Sequence, residues 1–278
     1  MNNMNFEDKP FVSVIMGVRY QRQDLALLER SVKSILEQTY IDFEFIIQDD
    51  GSCQEAVALL SAMAEQDQRI RLIRGSGKRS LPEKLNECLK FASGDLIARM
   101  DDDDVSSPER FEKQVVFLKE HPEVSFVGGN IKQMREGKYV GVRQLPEYPK
   151  TEDFLFTQPF VHPLLMFWRS ALDKVGGYSE KKRHLLCEDY DLLLRLYEKK
   201  CYGANLQEIL LEYTLPPYGK KNRAYRYCIN EALTRWERFK ALGLMPKAFF
   251  YVLKPLVVGL LSPKLKDKWK VCRTVKKI

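Results

Sequence analysis

The stretch Ala98-Arg99-Met100-Asp101-Asp102-Asp103-Asp104 sets four consecutive carboxylates at the end of an apolar run, Asp95 to Met100, that reads as a buried strand. Pro108 then opens an amphipathic helix, Glu109 to Lys119. Like charges this close repel one another, and burying them unpaired costs several kcal/mol per group. A positive partner is therefore expected among them, and hard carboxylate oxygens favour Mg or Mn. A solvated acidic turn, with Asp or Ser capping the following helix, would explain the same run without any ligand. The segments that precede the run weigh against that simpler account.

Phe11-Val12-Ser13-Val14-Ile15-Met16 is apolar and β-branched, a strand that ends at Gly17-Val18-Arg19-Tyr20. Asp24 can cap the next helix, whose apolar stripe is Leu25, Leu28, Val32, Ile35 and Leu36. A second strand, Phe43 to Ile47, stops at Asp49-Asp50-Gly51-Ser52. A helix from Gln54 to Gln66, a strand Ile70 to Arg74, the turn Gly75-Ser76-Gly77 and a helix Pro82 to Phe91 lead on to the acid run. This repeated alternation predicts an α/β fold with a mostly parallel sheet and right-handed crossovers. Ligands bind such sheets beyond the carboxyl ends of the strands, where Gly17, Asp49 to Ser52 and Asp101 to Asp104 all fall. No G-x-G-x-x-G or P-loop motif is present, and Gly75-Ser76-Gly77-Lys78 lacks the flanking context. A phosphate bound here would need a metal to hold it.

The second part is less regular. Ser125 to Asn130 and Tyr139 to Val142 read as strands with close-packed glycines. Gln158 to Phe167 is apolar except for His162, and a lone His in such a run is more often a hydrogen-bonded core residue than a catalyst. After the turn Gly176-Gly177-Tyr178, Leu186 to Asp191 opens a helix whose apolar face is Leu192, Leu193, Leu196 and Tyr197. Acids in a first helical turn, here Glu188 and Asp189, also suit ordinary dipole complementarity.

Together these residues resemble the family 2 glycosyltransferases, which have a GT-A fold. Val12 to Tyr20 is similar to that family's opening S-V-I-M-P-V-Y-N, and Asp49-Asp50-Gly51-Ser52 to its D-D-G-S. Ala98 to Val105 with Pro108-Glu109-Arg110 resembles A-R-M-D-x-D-D-I-S-x-P-x-R, its D-x-D being Asp101 and Asp103. His162-Pro163, Met166-Phe167, Arg169, Gly176-Gly177-Tyr178 and Glu188-Asp189-Tyr190-Asp191 with Arg195 follow in the family's order, so the resemblance spans residues 10 to 215. Gly17 replaces the usual proline, Tyr20 a common Asn, and Asp102 a small residue. The resemblance implies a nucleotide-sugar donor, UDP-linked, bound by Gly17, Val18, Arg19, Asp50, Asp101 and Asp102. It implies Mn or Mg on Asp103, with Asp101 beside it, and Asp189 as the general base with Glu188 orienting the acceptor. The implied reaction is inverting transfer to a hydroxyl of a glycan or lipid-linked saccharide, as in bacterial surface-polysaccharide synthesis. Another metal-dependent nucleotide-using transferase, such as a nucleotidyltransferase, would not require the His-Pro and Glu-Asp blocks. A non-enzymatic basic binding protein would leave the acid run merely structural.

Composition bounds these readings. A chain of 278 residues, 45% apolar and 30% charged, is that of a soluble globular protein. Met1 to Asp8 is polar and acidic, unlike a signal peptide. The six cysteines are scattered without a C-x-x-C pair, which suits a reducing cytosol and neither zinc nor a disulfide framework. From Gly219 onward there are 16 Lys and Arg against three acids, a surplus of 13 that leaves the rest of the chain at −6 of the net +7. The expected organisation is therefore a GT-A domain over 1–217, with a nucleotide-sugar half over 10–105 and an acceptor half over 106–217. A basic, helical extension covers 218–278. In it, 222–242 reads as a basic helix, and the apolar run Phe249 to Leu261 is too short to span a bilayer. Leu265, Trp269, Cys272 and Val275 then recur on one helical side among seven Lys and Arg. That composition predicts contact with an anionic membrane surface, peripheral at the inner face of the plasma membrane. A helical lid packed on the domain is the competing expectation, and no nucleic-acid motif is present.

Overall fold

The computed structural model describes residues 9–22, 24–217 and 224–261. Strands β1 (Val12–Val18), β2 (Phe43–Asp49), β3 (Ile70–Arg74) and β4 (Leu96–Arg99) run parallel in the order β3-β2-β1-β4. Their alternating side chains divide between two cores. Val12, Val14, Met16 and Val18 of β1 pack with Leu28, Val32 and Ile35 of α1 (Ala26–Leu36) and Leu60 of α2 (Gln54–Gln66). Ile15, Ile46 and Ile97 point the other way, onto Leu85 and Cys88 of α3 (Leu81–Phe91). Burial on both faces is why these strands read as nearly continuous apolar runs. The expected boundaries hold to within a residue or two, and Asp24 Oδ1 does accept from the Ala26 N–H, at 2.9 Å.

The sheet continues through residues that gave weaker signals. The later elements are β5 (Val105–Ser106), α4 (Arg110–Glu120), β6 (Phe126–Arg135), β7 (Lys138–Arg143), β8 (Met166–Trp168), α5 (Arg169–Val175), α6 (Glu188–Glu198) and β9 (Gly203–Thr214). Their order beyond β4 is β8-β6-β9-β5, with β7 beside β6. Strand β8 is antiparallel to both β4 and β6, while β9 runs parallel to β6, so the parallel half passes into a mixed half. Three of these strands escape the sequence reading for physical reasons, β5 because it is only two residues long. Only three residues of β8 sit inside a longer apolar stretch. In β9 the register slips opposite Gly129 to Ile131, which leaves Gln207, Glu208 and Leu210 without partners on β6 and breaks the alternation.

Helices α7 (Tyr225–Ala241) and α8 (Phe249–Leu260) pack on this body: Phe239, Ala248 and Val252 join the core of α3, α5 and α6. The anchor is polar. Asp191, wholly buried, accepts from Arg195 Nε and Arg238 Nε, each at 2.8 Å, and lies 3.6 Å from His184 Nδ1. Arg195 also donates to the Val175 and Gly177 carbonyls, and Arg238 to Glu198. Arg235 reaches the Leu155 carbonyl and lies over the Tyr190 ring. The lid expectation is thus met for α7 and α8, while the helix expected around Trp269 lies outside the described residues. No described helix is long and apolar enough to cross a membrane. Asp191→Ala would remove the buried carboxylate that Arg195 and Arg238 share while leaving each its other acceptors, so chemical denaturation should show a loss of about 2–3 kcal/mol, with the release of α7 seen by hydrogen exchange. A loss below about 1 kcal/mol would show that α7 is held by its apolar contacts alone.

Candidate active site

Because β1, β2 and β4 are parallel, their carboxyl ends share one edge. Backbone bonds bind the three turns together there: Asp50 N–H donates to the Val18 carbonyl at 3.0 Å and Met100 N–H to that of Ile15 at 3.1 Å. Ser52 Oγ accepts from the Tyr20 N–H at 2.9 Å. The side chain of Val18 is in the core, and its carbonyl also accepts from the buried Lys84 Nζ at 3.0 Å, whereas Arg19 is exposed. Gly17 faces α3, where a Cβ would lie 3.1 Å from both Leu81 and Lys84, so the glycine allows the helix to approach.

Asp50 is buried. Its Oδ1 accepts from the Gly77 N–H at 2.9 Å and its Oδ2 from the Arg79 N–H at 2.5 Å. The Gly75-Ser76-Gly77 turn therefore wraps this carboxylate rather than a phosphate. A side chain at Gly75 would collide with Asp50 Oδ1, and Gly77 has φ +83°.

The acid run divides by role. Asp101 Oδ1 accepts from Arg99 Nη2 at 2.5 Å and Asp103 Oδ2 from Arg22 Nη2 at 2.9 Å, their side chains 32% and 25% exposed toward the edge. Asp104 is fully buried: Oδ1 accepts from the Thr214 N–H at 2.8 Å, which latches the run to β9, and Oδ2 has no hydrogen-bond partner. Burial, and then the negative charges of Asp101 and Asp103, push the Asp102 carboxyl up to about 7. Burial and Asp101 likewise hold the Asp104 carboxyl well above the usual range. Beneath them Arg110, buried at the start of α4, donates to the Arg99 carbonyl at 2.8 Å.

Arg99 closes β4 wholly buried, its Nε and Nη1 without partners, on the sheet face shared with His162 and Tyr178. His162 Nε2 and the Tyr178 hydroxyl lie 2.9 Å apart, and burial followed by the Arg99 charge keeps the imidazole neutral. His162 therefore matches the core reading. Helix α6 opens with Glu188, buried, and Asp189, half-buried, whose Oδ1 accepts from the Tyr190 N–H at 2.8 Å. The tyrosines link the two sets of acids: Tyr178 feels Asp101, Asp189 and Glu188, and Tyr213 feels Asp101, Asp103, Asp104 and Asp189, in each case raising the phenol after burial has done so. Both phenols thus lie within electrostatic range of the acid run and of the start of α6. Sequence reasoning missed Arg22, Lys84, Asn86 and Arg99. The signal at Arg99 was a guanidinium ending a buried strand, and at Lys84 a cation inside an apolar helix stripe. Asn86 joins the halves by donating to the Tyr178 carbonyl and accepting from its N–H, both at 2.9 Å.

The donor set is all carboxylate oxygen, with one buried oxygen unpartnered and two acids at the solvent edge, which fits a hard divalent cation. No group of three or more His, Cys, Asp or Glu among the described residues forms a ready cage. Mg-type sites need only one or two carboxylates when substrate phosphates complete the shell.

The profile of Glycosyl transferase family 2 matches residues 13–176. Over 255 residues the chain is 32% identical to the O-antigen biosynthesis glycosyltransferase WbnJ of Escherichia coli, covering 88% of this chain and 96% of that protein. Its fold is similar to that of S. aureus TarS solved with UDP-GlcNAc: TM-score 0.68, 16% identity, 94% of this chain and 76% of the other. It is also similar to the mannosyltransferase PcManGT of Pyrobaculum calidifontis solved with GDP-Man and Mn2+: TM-score 0.62, 18% identity, 96% and 73% covered. These likenesses give the chain the GT-A fold.

The raised Asp102 has a measurable consequence in metal-free protein. Between about pH 4 and about pH 7 the folded chain keeps a proton that the unfolded chain releases, so stability falls as pH rises through that window. In EDTA, Asp102→Asn should exceed the wild type in stability at pH 8 by on the order of 1 kcal/mol, the difference fading near pH 4. Parallel pH profiles for the two proteins would show that Asp102 titrates normally.

Proposed function

The chain belongs to glycosyl transferase family 2, and from that premise we propose that it is an inverting, metal-dependent enzyme of surface-polysaccharide synthesis. It would move a sugar from a UDP-sugar to a hydroxyl of a glycan or lipid-linked saccharide at a membrane surface. The observation that carries the reading is the shared edge of the parallel strands, where the turns after β1, β2 and β4 bring Asp50, Asp101 and Asp103 together. The structural neighbours solved with UDP-GlcNAc, and with GDP-Man and Mn2+, support a nucleotide-sugar donor.

In this reading residues 10–105 take the nucleotide and 106–217 the acceptor. The nucleotide lies over Gly17 to Arg19, with Asp50 and Asp101 accepting from the uracil imide and the ribose. Asp50 keeps a second lone pair on each oxygen beyond those holding Gly77 and Arg79. When bound on Asp103, with Asp101 beside it, Mn or Mg supplies positive charge for the leaving diphosphate. Arg22, now on Asp103, is placed to turn to a phosphate oxygen instead. Asp189 takes the acceptor's hydroxyl proton while that oxygen attacks the anomeric carbon from the face opposite the diphosphate. The bond to the diphosphate breaks in the same displacement, so the configuration inverts and no enzyme nucleophile forms. Positioned proton removal of this kind is worth about 10²–10⁴-fold. Glu188 orients the acceptor.

Asp189→Asn can still accept the Tyr190 N–H but cannot take a proton. It should keep Tm and UDP affinity while kcat falls by at least about 10²-fold. Near-normal transfer by a folded Asp189→Asn would place the base elsewhere. Asp103→Asn should abolish turnover with the fold intact, and full activity in EDTA would remove the metal from the scheme.

A further inference from the structure

Helices α7 and α8 bury one side against the domain and leave the other covered by nothing among the described residues. Ile229, Leu233 and Trp236 recur at i, i+4 and i+7 along α7. Phe250, Val257 and Leu260 do so at i, i+7 and i+10 along α8. Phe250 is 80% exposed, Leu260 77% and Val257 61%. The two stripes meet through ring contacts, Trp236 to Phe249 at 6.5 Å and Phe249 to Phe250 at 5.9 Å. A contiguous apolar surface of this kind is rare on a protein that meets only water.

The charges around the face identify its partner. Both acids of α7 are engaged, Glu231 with Arg235 and Glu237 with Arg183, and α8 has none. Arg226, Lys240 and Lys247 are exposed. The sequence that follows α8, 262–278, holds seven Lys and Arg against Asp267 alone. A second copy of the chain would set this positive charge against itself. An anionic bilayer accepts both parts, the apolar stripe at the acyl boundary and the cations among headgroups.

The inner side of α7 packs against the start of α6. Thr234 Oγ1 of α7 lies 3.5 Å from Cys187 Sγ, at the start of the helix that carries Asp189. We infer that the α7–α8 face docks on an anionic membrane. The docking rests on the surface alone, and its effect on transfer rests on the glycosyltransferase reading above.

Flotation of the full-length protein with phosphatidylcholine vesicles containing phosphatidylglycerol tests the docking. The wild type should float with these vesicles, less so as salt rises and not with phosphatidylcholine alone. Phe250→Glu with Leu260→Glu should cut the bound fraction at least about tenfold at unchanged Tm, since each adds a charge to the apolar stripe. Val257→Ser with Leu260→Ser, a milder pair, should reduce it in the same direction. Transfer to a lipid-diphosphate-linked saccharide in vesicles should fall with binding, while transfer to a short soluble acceptor stays at the wild-type rate. The inference is overturned if the wild type does not bind, or if the Glu pair binds as the wild type does. It is equally overturned if sedimentation shows a dimer that the Glu pair dissociates without changing vesicle binding. A wild type that floats but transfers to neither acceptor would instead count against the catalytic reading.

Discussion

Four carboxylates in succession at the end of one strand create a charge that the protein cannot hold without opposing groups. Most of the cleft is built from those groups. Arg99 closes β4 and Arg22 crosses from the end of β1. Lys84 rises from α3, and Arg110 lies under the turn. The compensation is incomplete: Asp104 keeps an unpartnered buried oxygen, and Asp102 and Asp104 both titrate high. Ionising these carboxyls without a partner would destabilise the fold. In the reading proposed above, a cation and a diphosphate would complete the arrangement.

The same economy of position appears on α6. Asp189 and Asp191 are two residues apart, so they project about 200° apart around the helix. One edge of the helix meets the cleft with Asp189. The opposite edge carries Asp191 into the body, where Arg195 and Arg238 fix both the Gly176-Gly177 turn and α7. A single helix turn thus ties Asp189 to the Gly176-Gly177 turn and to the C-terminal helices.

Much of this was legible in the sequence. The first four strands and three helices could be read because both sheet faces are buried, giving apolar runs bounded by Gly and Asp. The topology then required Gly17, Asp50 and Asp101 to share an edge. The mixed half was harder, since β8 is three residues long and β9 slips register around Gln207 and Glu208. Arg99, Lys84 and Arg22 went unread because their role depends on which acids they face, and that is set by tertiary packing. Gly75 to Gly77 was recognised as a turn, but not as the wrapping of Asp50, which requires knowing that β3 ends beside β2. The charge surplus after Gly219 was plain, whereas the packing of α7 and α8 rests on Asp191, an acid whose sequence context suggested only a helix start.

Calorimetric titration of the full-length protein with UDP, first with Mn and then with EDTA, tests the central claim most directly, because the acid run and the diphosphate are both anionic. The account predicts saturable one-site binding in Mn that weakens at least about tenfold in EDTA, a difference of about 1.4 kcal/mol or more. Equal affinity in the two conditions would contradict it, since the carboxylates at the end of β4 would then be meeting the diphosphate without a cation between them.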